Sequence, residues 1–348
     1  MRRYIGCDVH ASSCTFAIRD ERGRRVGRDV VETRGPALRR YLRGIAGERY
    51  LCIEECEQSQ WLFELLSNHV EQIDVVVPPR RSGNKNDEID AFKLAEVIQK
   101  GLSWTRVYKD PQRFRRVREA SRLYTMVTQD LVRLKNRIKG FYRSQGIPVT
   151  GDGVYRADQR DRFVRKAPAA TRRVLDLLYE ELDATERWKS RAQRELVSEA
   201  HRHRISRVLE TAPGLGEVRV AQMLPIVITP HRFRTKRQFW AYCGLGVQTR
   251  SSSDWIQSEG SWLKAPVTQT RGLNRNHNAA LKGLMKGAAT TVCQHATSDP
   301  LHQVYQELLG KGIKPNLAKL TIARRIAAIV LAMWKHETSY DSKRTRAD

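Results

Sequence analysis

The sequence predicts a mixed α/β domain, then a pair of long Arg-rich helices, then a third, mostly helical region. Three observations carry this reading. Short apolar runs alternate with amphipathic segments over the first hundred residues. Apolar residues then recur at helical spacing through densely charged sequence from Pro111 to about residue 205, and glycine-punctuated turns separate helices beyond it.

Strands are expected at residues 4–8, 14–19, 26–32, 50–54 and 73–77, the last ended by Pro78-Pro79. Residues 36–46 and 59–70 show helical spacing, so three strands are followed by helix-strand-helix-strand-helix, a mixed sheet. The first strand closes on Asp8 (Tyr4-Ile5-Gly6-Cys7-Asp8) and the fourth on Glu54 (Tyr50-Leu51-Cys52-Ile53-Glu54). The next helix opens with Asp87 and Asp90, after a basic turn containing Arg80, Arg81 and Lys85. An unpaired buried charge costs several kcal/mol, so acids that end two strands are expected to leave the core at one sheet edge. Asp87 and Asp90, three residues apart, share a helix face. Four hard oxygen donors suit Mg²⁺ or Mn²⁺. Two such ions about 4 Å apart would clamp the attacking and leaving oxygens of a phosphodiester. Taken singly, each acid reads as an ordinary solvated residue; the set, amid basic surroundings, points to metal. Spacing leaves Glu55 and Glu88 open beside them.

A helix from about 114 to 143 carries Val117, Leu123 (or Tyr124), Val127, Leu131, Leu134, Ile138 and Phe141 on one stripe. Gly146-Ile147-Pro148 and Thr150-Gly151-Asp152-Gly153 end it, and a second helix, about 169–209, carries Leu175, Leu178, Leu182, Trp188, Leu196 and Ile205. The dense charge on the remaining faces favours a projecting antiparallel coiled coil over a plain bundle. Beyond it, Ala212-Pro213-Gly214-Leu215-Gly216-Glu217-Val218 reads as a turn of helix-hairpin-helix kind. There Gly214 and Gly216 would let backbone N–H groups approach a phosphate; a simple helix-linking turn fits equally well. Phe233-Arg234-Thr235-Lys236-Arg237-Gln238-Phe239-Trp240 interleaves Arg234, Lys236 and Arg237 with aromatics. That suits nucleic-acid contact, or a core helix whose cations snorkel. Arg250 precedes Ser251-Ser252-Ser253-Asp254-Trp255, Arg271 and Arg275 follow in Arg271-Gly272-Leu273-Asn274-Arg275, and a last helix spans about 315–336.

The 348 residues imply two or three domains, and 40% apolar content is enough for a sizeable core. The formal net charge of +25, from 63 Lys and Arg against 38 Asp and Glu, calls for a polyanionic partner. A membrane surface competes with nucleic acid for that role, but no run of about 18 apolar residues occurs. Met1-Arg2-Arg3 leads into a strand without an apolar signal segment, so a cytoplasmic protein is expected. The six cysteines form no CxxC pair and no zinc-finger spacing, which suggests reduced thiols.

These residues resemble a known family, the insertion-sequence transposases of the IS one-ten group, bridge-RNA-guided DNA recombinases. The carrying residues are Asp8, Ile53-Glu54-Glu55-Cys56, Lys85-Asn86-Asp87-Glu88-Ile89-Asp90-Ala91, Pro213-Gly214-Leu215-Gly216, Gly244-Leu245 with the serine cluster, Arg271-Gly272-Leu273-Asn274, and Gly312-Ile313-Lys314-Pro315-Asn316 with Ala323-Arg324-Arg325. They run through nearly the whole chain in the family's order. The resemblance implies an RNase H-like (RuvC-type) DEDD domain over 1–112, an antiparallel coiled coil over 113–205 and a small, mostly helical transposase domain with a nucleophilic serine over 206–348. Carried over, the metal-binding acids are Asp8, Glu54, Asp87 and Asp90. The family's pattern places a glycine directly after the catalytic serine, where this chain has Ser253 or Asp254; Ser252 is the expected nucleophile and Ser251 the second choice. Arg250 and Arg271 would brace phosphate oxygens. The resemblance further implies a covalent phosphoserine, a composite site across protomers, a homodimer or tetramer, and as partners the DNA of the element ends and target and a structured guide RNA. It also implies a prokaryotic, nucleoid-associated setting. A metal-dependent nuclease of Holliday-junction-resolvase type would need the acids but no serine. A non-catalytic RNA- or DNA-binding protein would need neither.

Overall fold

The computed structural model describes residues 1–79, 87–110, 113–249, 255–258, 260–264 and 270–343. It divides into two compact units, Met1–Arg113 and Phe114–Asp348.

The first unit is built on a six-stranded sheet. Its strands are β1 (Arg2–Val9), β2 (Ser13–Arg19), β3 (Arg25–Glu32), β4 (Glu48–Glu54), β5 (Gln72–Val77) and β6 (Thr105–Arg106), in the order β3-β2-β1-β4-β5-β6. β1, β2 and β3 form an antiparallel meander, β4 and β5 continue parallel to β1, and β6 pairs antiparallel at the edge. The five strands expected from the sequence are present; the two-residue β6 carries too little pattern to be read. Helices α1 (Gly35–Gly44) and α2 (Ser59–Leu66) cover one face, where Leu38, Leu42, Leu62 and Leu66 pack on Ile5, Cys7, Phe16, Leu51 and Ile53. On the other face lies α3 (Asp87–Lys100), whose Leu94, Val97 and Ile98 pack on Cys52 and Val76. This mixed sheet, followed by a helical region, is compatible with an RNase H-like DEDD domain.

In the second unit, α4 (Arg115–Ser144) and α6 (Ala169–His201) pack side by side, joined through the short α5 (Arg160–Val164). Two cores hold this pair. Toward the connection, Leu131, Leu134, Ile138 and Tyr142 meet Leu175, Leu178, Tyr179 and Leu182 around Val149, Val154 and Phe163. The Tyr142 and Tyr179 hydroxyls lie 3.0 Å apart, and Tyr179 donates to the Val154 carbonyl at 2.9 Å, so the connecting segment is bonded into the tip. At the other end, Phe114, Val117, Ala120, Leu196 and Ala200 join the core of the remaining helices.

Two details correct the sequence reading of this pair. Trp188 is 65% exposed; six residues past Leu182 is about one and two-thirds turns, which carries it off the apolar stripe. The expected helix at 169–209 is two helices, because α6 ends at His201 and α7 (Arg204–Glu210) restarts after it. Of the pair Leu123 or Tyr124, it is Tyr124 that packs on the core.

The chain continues through α8 (Glu217–Val227), α9 (Lys236–Tyr242), β7 (Val247–Thr249), β8 (Trp255–Ser258), β9 (Ser261–Lys264), β10 (Thr270–Leu273), α10 (Ala279–His295), α11 (Pro300–Gly310) and α12 (Pro315–His336). β7 pairs with β10 and β8 with β9, two small antiparallel ribbons in a stretch for which the sequence predicts no strand. Among the described residues, no helix is long and apolar enough to cross a membrane. All six cysteines are free.

Candidate functional site

Side chains alternate across a strand, so the parallel register of β1 on β4, with Gly6 opposite Cys52 and Cys7 opposite Ile53, decides which acids share a face. Tyr4, Tyr50 and Cys52 pack with α3 residues, whereas Cys7 and Ile53 pack with α1 and α2. Asp8 and Glu54, two residues beyond Gly6 and Cys52, therefore belong to the α3 face. Gly6 marks where α3 crosses β1: a Cβ there would stand 1.8 Å from the Ala91 carbonyl oxygen and 2.5 Å from the Ala95 nitrogen. One turn before Ala91 the helix begins, which brings Asp87 to the end of β1.

There the donor atoms of Asp8, His10 and Asp87 lie within 4.8 Å of one another. The His10 Nε2 is 3.3 Å from an Asp8 oxygen and 3.1 Å from an Asp87 oxygen. It is buried and makes no well-formed hydrogen bond. Asp8 is only 6% exposed, Asp87 is exposed and His10 lies between. The His10 ring is carried on a pinned turn: its backbone N–H donates to the Ser13 carbonyl at 2.9 Å, and the Thr33 hydroxyl donates to its carbonyl at 3.0 Å. The sequence reading passed over His10, although residues i and i+2 of a strand share a face and Asp8-Val9-His10 carried that signal.

Glu54 and Asp90 lie outside this three-donor group. Glu54 is half-buried at the end of β4; Asp90 is buried on α3, with the Lys93 ammonium 3.8 Å away. The neighbours left open by spacing have other partners. Glu55 accepts from Lys109 at 2.9 Å and from the Ser59 hydroxyl at 3.0 Å, tying the start of α2 to the segment after β6. Glu88 pairs with Arg28 at 2.9 Å.

Two carboxylates and an imidazole nitrogen without a well-made hydrogen bond fit a divalent cation. Oxygen donors accept Mg²⁺ or Mn²⁺, and the nitrogen shifts preference toward the softer ion.

The expected nucleic-acid contacts Arg80, Arg81, Lys85 and Arg250 lie outside the described residues, as does the triplet Ser251, Ser252 and Ser253 that holds the expected nucleophile. Arg271 stands on β10. Arg234, Lys236, Arg237 and Arg275 are exposed. The aromatics between them are not free to stack, since Phe233 and Phe239 are buried against each other and Tyr242. Trp240 is half-buried, its indole N–H donating to the Arg324 carbonyl at 2.8 Å. These aromatics belong to the core, while the cations beside them are exposed. Lys236, Trp240, Arg325 and His336 line a cavity of about 400 Å³ between α9 and α12.

The two turn glycines differ. Gly214, at φ +73°, presses on α10, where a Cβ would meet the Ala288 carbonyl oxygen at 2.3 Å, so packing accounts for it. Gly216 is exposed at the start of α8 with open space around it. The segments on either side of the serine triplet are also fixed. Arg324 donates to the Leu245 carbonyl at 2.7 Å, Asn274 N–H to the Gly246 carbonyl at 3.0 Å, and Asn278 N–H to the Tyr242 carbonyl at 3.0 Å.

Two family profiles and one named relative match this chain. A profile of the DEDD-type IS110 transposases, described as "Transposase", matches residues 5–144. A second, described as "Transposase IS116/IS110/IS902 family", matches residues 206–306. The chain is also similar to a protein of Sinorhizobium fredii named "Putative transposase y4pF/y4sB", at 22% identity over 311 residues, covering 84% of this chain and 74% of that protein.

Proposed function

From the premise that the chain belongs to the IS110 family of insertion-sequence transposases, we propose that it is a recombinase that excises and inserts its own element under the guidance of an element-encoded bridge RNA. A transposase binds DNA, and a DEDD-type domain suggests a divalent metal. The observation that carries the catalytic reading is the convergence of Asp8, His10 and Asp87 at the end of β1. Asp8 and Asp87 would hold the ion, with His10 as a further donor and Glu54 and Asp90 on the same side of the sheet. When bound, such an ion supplies Lewis-acid stabilisation of charge developing on a phosphate oxygen.

The proposed nucleophile is the Ser252 hydroxyl, with Ser251 second. Its oxygen bonds to phosphorus as a phosphodiester P–O bond breaks, the hydroxyl proton is lost, and a sugar hydroxyl leaves. Attack by another sugar hydroxyl on the phosphoserine then restores the serine and reseals the strand, so no nucleotide triphosphate is needed. Arg250 and Arg271 would brace phosphate oxygens during both displacements. In this reading residues 1–112 are the RuvC-type domain, 113–205 a coiled coil, and 206–348 the serine-bearing domain. Leu123, Met126 and Trp188, exposed on the paired helices, support an oligomer, since they leave apolar surface there for another copy to cover.

Strand cleavage of element-end DNA, assayed with and without Mg²⁺ or Mn²⁺, tests the metal reading. Asp8→Asn and Asp87→Asn are expected to abolish cleavage while DNA binding and the melting transition persist. Cleavage at the wild-type rate in either variant, or in excess chelator, would remove the acids from the mechanism.

A further inference from the structure

β8 and β9 form a ribbon in which Trp255 stands opposite Lys264, Gln257 opposite Trp262, and Ser258 opposite Ser261. By alternation, Trp255, Gln257 and Trp262 occupy one face, the two indoles on a diagonal about 7 Å apart at their Cβ atoms. Trp255 is 61% exposed and Trp262 63%. Among the described residues, folding does not account for this face. A two-stranded ribbon is marginal in water by itself, and neither indole gains the burial that makes tryptophan useful in a core.

The surrounding sequence identifies the chemistry of the partner. Residues 247–275 carry Arg250, Lys264, Arg271 and Arg275 against Asp254 and Glu259, within a chain of net charge +25. Exposed aromatic rings in a cationic stretch of sequence, with an amide on the same face able to pair with a base edge, are the components of a single-strand stacking platform.

We infer that the β8–β9 ribbon binds unpaired nucleobases, with Trp255 and Trp262 as the stacking surfaces and Gln257 as the base-edge contact. The inference rests on nucleic acid being the partner, but not on the serine chemistry or on the metal. Its occupant is an unstacked segment of DNA strand, such as forms where a duplex is opened for exchange.

The test is fluorescence-anisotropy titration of the full-length protein with two labelled DNAs of equal length, one fully paired and one with a central unpaired bubble, each over a range of salt. Stacking contributes about 1–3 kcal/mol per base. The Trp255→Leu/Trp262→Leu variant is therefore expected to bind the bubble at least about tenfold more weakly, with duplex affinity within about twofold of wild type and the salt slope unchanged. The Trp255→Phe/Trp262→Phe variant, which keeps the aromatic faces, is expected to recover most of the loss. Equal weakening on both DNAs, no weakening on either, or a Leu variant that binds as well as the Phe variant would each overturn the inference. So would a change in sedimentation coefficient in place of a change in affinity, because a second copy of the chain would then cover the ribbon. A wild-type protein that binds neither DNA would overturn the inference and the function together, whereas tight wild-type binding with indifferent tryptophans would overturn the inference alone.

Discussion

At the end of β1, a buried imidazole nitrogen stands 3.3 Å and 3.1 Å from two carboxylate oxygens without a well-made hydrogen bond to either. If His10 helps hold the ion, His10→Ala should still cleave DNA at saturating Mn²⁺ but raise the half-saturating concentration about tenfold or more. An unchanged metal titration would make His10 a bystander. Glu54→Gln should impair cleavage. Glu55→Gln should cleave normally and cost about 1 kcal/mol of stability in urea unfolding, because Glu55 already accepts from Lys109 and Ser59. The reverse pattern would place the catalytic carboxylate one residue later in the strand. The acids were legible in the sequence because a carboxylate closing an apolar run is costly unless it reaches an edge. His10 was not, since a single histidine beside a polar turn looks like loop until its ring is found 3.3 Å from Asp8 and 3.1 Å from Asp87. The other partners of Glu55 and Glu88 were not legible, because Lys109 and Arg28 are distant from them in sequence.

The helix that brings Asp87 to this edge depends on one missing side chain. With the Ala91 carbonyl 1.8 Å from where a Gly6 Cβ would be, Gly6→Ala must push α3 off the sheet. It should destabilise the first unit by about 3 kcal/mol in urea unfolding and weaken metal-dependent cleavage along with it. Gly44→Ala, at the end of α1 with open space at its Cβ, serves as the control and should unfold close to wild type. A Gly6→Ala protein as stable as wild type would mean that α3 does not lie this close to β1. Strands β1 to β5 were readable because they are long and apolar enough to show their period, and α12 because its stripe runs unbroken over Pro315–His336. Ribbons β7–β10 were not, being three or four residues each and largely polar on a single pass through the sequence. The break between α6 and α7 was also hidden, because neither a glycine nor a proline stands between Leu196 and Ile205 to mark it.

At the scale of the whole molecule, the charge of +25 fixes the character of binding more than its specificity. The logarithm of the DNA association constant should fall with the logarithm of salt concentration by about 0.9 per phosphate contacted on a duplex, giving a slope of several units. A flat response would remove nucleic acid as the main partner. Charge alone does not separate a recombinase from a junction nuclease or from an architectural protein, and the metal site does not separate the first two. The serine does. Protein incubated with end-labelled element DNA and divalent metal, then resolved on a denaturing gel, should leave label covalently attached to protein. The adduct should be lost in Ser252→Ala and kept in Ser253→Ala. Metal-dependent cleavage at the wild-type rate with no adduct, unchanged when Ser251, Ser252 and Ser253 are all replaced by alanine, would contradict the recombinase account and leave a hydrolytic nuclease in its place.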